Sequence, residues 1–106
     1  MEKIAKSICA FANGDGGRLL VGVDDKGVTH HVDVEEEMYM AYEAATDYCR
    51  PSVEVKFIVH VDGSTEILEV NISKGKTPPY SARDDKGAWK VYKRVGDKVV
   101  SEKDNF

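Results

Sequence analysis

Apolar residues recur along this chain at two different periods, which divide it into helices and strands. Ile4, Ile8 and Phe11, flanked by Ala5 and Ala12, fall at the i, i+4, i+7 spacing that predicts a first helix with one apolar face. Asn13-Gly14-Asp15-Gly16-Gly17 ends it, because glycine accepts the left-handed backbone of a helix exit. Arg18-Leu19-Leu20-Val21-Gly22-Val23-Asp24 is almost continuously apolar, which predicts a strand buried on both faces at the centre of a sheet. Asp25-Lys26-Gly27 turns the chain. A second helix is expected from Val34, since Asp33 and Glu36 have capping-box spacing. Met38, Tyr42, Ala45 and Cys49 form its apolar face, the opposite face is acidic, and Pro51 closes it.

Beyond Pro51 the period becomes two. Val53, Val55, Phe57, Val59 and Val61 alternate with Glu54, Lys56, Ile58 and His60, the pattern of a half-buried strand. Asp62-Gly63 predicts a hairpin turn, after which Leu68, Val70 and Ile72 point inward and Glu69 and Asn71 outward. Lys74-Gly75-Lys76-Thr77-Pro78-Pro79 reads as a loop, because consecutive prolines offer a sheet no donors. A last strand over 88–95 follows the turn Asp84-Asp85-Lys86-Gly87. The elements add up to one α+β domain over 1–106, with one mixed, mainly antiparallel sheet covered by two helices.

Composition sharpens this picture in a few places. A chain of 106 residues, 42% apolar and 32% charged, suits a single globular domain with its own core. No apolar run approaches the ~20 residues of a membrane helix. Met1-Glu2-Lys3-Ile4 has no signal-peptide stretch, so a cytoplasmic protein away from membranes is expected. Cys9 and Cys49 have no metal-ligand spacing and are expected as buried, reduced thiols. A net charge of −4 argues against an indiscriminate nucleic-acid binder, yet the charge is unevenly spread. Residues 1–70 hold 6 Lys/Arg against 14 Asp/Glu, whereas residues 71–106 hold 9 against 5. Such asymmetry marks either an interaction face or two surfaces attracting each other across one small domain.

Most candidate chemistry has an ordinary structural reading. The Gly-rich loop follows a helix, whereas phosphate loops precede one and use its positive end. Gly75-Lys76-Thr77 imitates the end of a Walker A motif, but Pro78 forbids the helix that motif needs. His30 and His31 are adjacent and point apart on an extended segment, and Ser7 and Ser73 have no placed histidine and acid. No cofactor is expected. Asp24 and Asp25 are weak metal candidates, since phosphodiester chemistry wants several carboxylates converging from different elements. The last strand is more suggestive: Lys90, Tyr92 and Arg94 alternate onto one face, with Trp89, Val91, Lys93 and Val95 on the other. Two cations flanking an aromatic make a platform for phosphates and a stacked base, and a solvated amphipathic strand has the same pattern.

Ile8-Cys9-Ala10-Phe11-Ala12-Asn13 with Asp15-Gly16-Gly17, then Leu20-Val21-Gly22-Val23-Asp24-Asp25 and Gly27, resemble the Schlafen AlbA-like DNA-binding domain family. Pro79-Tyr80 and Tyr92-Lys93-Arg94-Val95-Gly96 resemble that family's closing segments. The resemblance implies an α+β domain of the kind found in bacterial proteins similar to transcriptional regulators and in Schlafen proteins that engage or cut RNA. It implies a non-catalytic nucleic-acid-binding module whose partner is DNA. From the charge after residue 71 and the alternation of the last strand, with Tyr92 and Arg94 in the family's closing motif, contacts are expected from Lys90, Tyr92 and Arg94, with Lys74, Lys76 and Arg83 nearby in sequence. The family usually opens with a strand carrying Glu-x-Lys, and the chain is expected to lack it, since Met1 stands directly before the first helix. Schlafen-type nucleases draw acids from that segment, so only Asp24 or Asp25 has a counterpart here. An exposed sheet edge, and through it a homodimer, is a further expectation. Two other readings stay open: a structural or protein-interaction domain without nucleic-acid binding, and a divergent metal-dependent nuclease.

Overall fold

In the computed structural model, which describes residues 1–101, helix α1 (Glu2–Asn13) buries Ala5, Ile8, Cys9, Ala10 and Ala12. Phe11 O accepts from the N–H groups of Gly14 and Gly16 at 3.1 and 2.9 Å, closing the helix end. Strand β1 (Gly17–Val21) follows at once. A Cβ at Gly16 would lie 2.6 Å from Ile72 O, and one at Gly17 would enter the Phe11 ring. The two glycines therefore let β1 pass directly beneath the helix exit.

Helix α2 (Val34–Asp47) starts where the sequence predicts, with the Asp33 carboxylate accepting from Glu36 N–H at 3.2 Å. Its buried face is Ala41, Ala44 and Ala45, small residues that bring it close to α1 and the sheet. Tyr42, expected on that face, is 58% exposed, and Cys49 lies beyond the helix in β2 (Cys49–Arg50). Strands β3 (Val55–Asp62) and β4 (Thr65–Ile72) form the expected hairpin, and β5 (Ser81–Arg83), β6 (Trp89–Val95) and β7 (Lys98–Ser101) complete the order.

The α+β class stands, but the single mixed sheet resolves into two. One is three-stranded, ordered β1-β4-β3, and the other four-stranded, ordered β2-β5-β6-β7; every pairing is antiparallel. β1 is therefore an edge strand, not a central one, and Leu20 on its outer face is 47% exposed. The central strand is β4, whose Leu68, Val70 and Ile72 are buried under α2 as its alternation predicts. Val59 and Val61 of β3 are exposed, because the strand runs on past the end of its helical cover. Glu69 faces outward yet is only 4% exposed, held by His60 Nε2 at 3.0 Å, Asn71 Nδ2 at 3.3 Å and Arg18 Nη1 at 3.6 Å. The four-stranded sheet packs its inner face on α1. Cys9 and Cys49 are buried there, and desolvation pushes their thiols up to about 11 and about 12.

Candidate nucleic-acid interface

Strand β6, expected as the last strand but followed by β7, does alternate, and its two faces have the reverse of the expected roles. Cross-strand partners share a face, so pairing of Lys90 with buried Ala82 and of Tyr92 with Ser101 turns both toward α1. Tyr92 is 4% exposed and cannot act as an open stacking platform. What fixes this orientation is Asn13 at the end of α1. Its Nδ2 donates to Tyr92 O at 2.7 Å and Tyr80 O at 2.8 Å, while its Oδ1 accepts from Tyr80 N–H at 2.6 Å.

Two of the cations on this inner side, Lys6 and Lys90, are matched by carboxylates. Lys90 Nζ lies 3.6 Å from Asp84, and Lys6 Nζ lies 3.1 Å from Glu2 and over the Tyr92 ring at 5.4 Å. Backbone N–H groups of Ala88 and Asp85 hold the Asp84 and Glu2 carboxyls below the ordinary range, and burial pushes the Tyr92 phenol up. The result is a hollow of about 330 Å³ lined by lysines and hydroxyls whose charge is largely compensated. Arg94 extends past the helix, exposed, with its guanidinium 4.5 Å from the centre of the Phe11 ring.

The outer face of the same sheet is different. Arg50 of β2, Arg83 of β5, Trp89 and Lys93 of β6 and Lys98 of β7 all project there, by their pairing with Ser81, Trp89, Val100 and Val95. No strand position on this face carries a carboxylate among the described residues. Arg50, Arg83 and Lys98 make no ion pair among the described residues. The Arg50 guanidinium lies over the half-buried Trp89 ring at 3.9 Å, and Arg83 over Tyr48 at 5.7 Å. Flat aromatic surface and unmatched positive charge coincide here, the two requirements for holding a phosphate backbone beside an unpaired base.

The six residues expected to act together are thus divided among three places. Lys90, Tyr92 and Arg94 face α1, and Arg83 is on the outer face. Lys74 and Lys76 are exposed in the β4–β5 loop, where Lys74 Nζ comes within 3.9 Å of Asp15. Asp24 is a turn-forming residue. Its Oδ1 accepts from the N–H groups of Lys26 and Val28, both at 2.9 Å, and its Oδ2 meets His30 Nε2 at 2.9 Å. Those contacts, His30 foremost, hold its carboxyl below the ordinary range. The same tetrapeptide at 84–87 repeats the bonds, Asp84 Oδ1 accepting from Lys86 and Ala88 N–H at 2.9 Å. Asp25 joins no cluster: among the described residues, no three of His, Cys, Asp and Glu are grouped to hold a metal ion.

Sequence reasoning did not bring Arg50, Lys98 and Trp89 together on one face. Arg50 and Lys98 lie on strands of two and four residues, too short to show a period, and nothing local pairs them with Trp89. A solved structure, the DIP2311 protein of Corynebacterium diphtheriae, shares this fold with a TM-score of 0.65 at 19% sequence identity. The match covers 94% of this chain and 17% of that one. The family model described as Schlafen, AlbA_2 matches residues 1–102, and this chain belongs to that family.

Proposed function

We propose that this domain binds nucleic acid, DNA in the first instance, without cutting it, as the nucleic-acid-contacting part of a bacterial protein resembling a transcriptional regulator. Family membership is consistent with nucleic-acid association. The observation that carries the reading to this chain is the outer face of the four-stranded sheet, where Arg50, Arg83 and Lys98 have no ion-pair partner among the described residues of a protein of net charge −4. Unmatched cations on one face of an acidic protein are suited to a polyanion, which releases its condensed counterions on binding. The proposal includes assembly of two copies through the open edge of β1, whose unpaired backbone groups can accept another strand.

Fluorescence anisotropy with labelled DNA across a salt series tests the reading. Binding is expected at low salt and should fall steeply as salt rises. Arg83→Ala and Lys98→Ala should each flatten the slope of log affinity against log salt by ~0.9 on duplex DNA. Both should weaken all sequences alike, because phosphate contacts position without reading bases. Added magnesium should produce no cleavage. Absence of binding at low salt refutes the proposal, and magnesium-dependent cleavage lost in Asp24→Asn favours a nuclease instead.

A further inference from the structure

We infer that the outer face of the four-stranded sheet takes single-stranded nucleic acid, with a base stacked on the Trp89–Arg50 column. This rests on the nucleic-acid reading above and adds the class of ligand and the residues that choose it. A surface that only gathers phosphates needs cations and nothing flat. This face has a ring of 106 residues' sole tryptophan capped by a guanidinium at 3.9 Å, and the capping Arg50 is itself exposed. A guanidinium plane accepts a base on its open side as an aromatic ring does, so a third layer extends the column. Bases inside a duplex have both faces covered by their neighbours, whereas those of a single strand can turn out onto such a platform.

The arrangement around the column suits one chain. Arg83 is the cross-strand partner of Trp89, Lys93 lies two same-face positions further along β6, and Lys98 of β7 is paired with Val95, the same-face position beyond it. Four strands ~4.8 Å apart make a face roughly 14 Å across, so the cations line the path of a backbone over the sheet while a base drops onto the stack. Glu69, nearly buried on the outer face of the other sheet, is engaged there by His60 and Arg18.

Because the only tryptophan is in the proposed stack, its emission reports binding directly. The experiment titrates the whole chain with a single strand of about 12 nucleotides and with a duplex of the same length, following both Trp89 emission and anisotropy of the labelled DNA. Tighter single-strand binding with quenched Trp89 emission is expected. Trp89→Ala should weaken the single strand by roughly 5- to 150-fold, the range for one lost stacking platform, and leave duplex binding nearly unchanged. Trp89→Phe, which keeps a ring and guards against loss of the fold, should retain most single-strand affinity. Binding of both DNAs with equal affinity and unaltered emission overturns the stacking inference while sparing the phosphate-binding reading. Binding of neither overturns both.

Discussion

Replacing Asn13 tests the contact that decides which side of the last sheet faces solvent. Its amide makes three hydrogen bonds, of 2.6, 2.7 and 2.8 Å, to backbone groups of Tyr80 and Tyr92 in a partly buried setting. Each such bond contributes ~0.5–1.5 kcal/mol net, and a backbone group left without a partner costs ~1–3 kcal/mol. Asn13→Ala takes the amide away from two carbonyls and one N–H, of which Tyr80 O keeps the Cys9 thiol at 3.1 Å, so a loss of about 3 kcal/mol is expected. For a domain of this size that lowers Tm by roughly 12–15 °C. Asn13→Asp is the sharper variant. It keeps the shape and the acceptor for Tyr80 N–H, but replaces the donor to both carbonyls with a carboxylate oxygen. At neutral pH it should be worse than alanine, and it should recover part of the loss as acid protonates the new carboxyl and restores one donor. Urea unfolding of the three proteins at pH ~7 and pH ~4 measures this, with unchanged m-values confirming comparable end states. An aspartate variant as stable as the parent at neutral pH, or an alanine variant within about 0.5 kcal/mol of it, refutes the reasoning.

Two further predictions follow from the other sheet. His60 first, then Asn71, hold the Glu69 carboxyl below its ordinary range, so its ionised form stabilises the fold above the unfolded-state value of ~4.3. That contribution is lost as pH falls through the depressed folded value, and Glu69→Gln should therefore lose less stability than the parent on acidification from pH ~6 to ~3; parallel curves would sink the assignment. The open edge of β1 should give a dimer by light scattering at high concentration, and Leu20→Lys should shift it toward monomer, since an edge charge blunts strand pairing. A monomer at every concentration contradicts the edge pairing.

The two helices, the β3–β4 hairpin and the Asp33 cap were legible because each is written in local spacing. The assignment of the last strand's faces was not. Lys90-Tyr92-Arg94 and Trp89-Val91-Lys93 both mix cations with apolar groups, so period two fixes the alternation without saying which phase is buried. That choice is made by groups far away in sequence, α1 and the Asn13 amide, which no window on residues 88–95 contains. The apolar run of β1 suggested burial on both sides, yet Leu20 is exposed on the outer face while Leu19 and Val21 pack against the core from an edge strand. Acidic Glu69 was correctly turned outward, but its near-complete burial depends on His60 and Arg18, contributed by both neighbouring strands.

The Asp-Asp-Lys-Gly turn, used twice with the same bonds, is a self-contained device. The first aspartate of each copy folds its own loop with one oxygen and reaches a cation-bearing side chain six residues on with the other, His30 in one copy and Lys90 in the other. Such a unit needs nothing from the core to hold its shape. It behaves as a portable part, and the side chain six residues along is one of the differences between the two copies. At 24–27 that position carries an imidazole, and at 84–87 an ammonium. One loop design thus gives this small domain two corners, each shaped by its own aspartate and tied down by a different basic side chain.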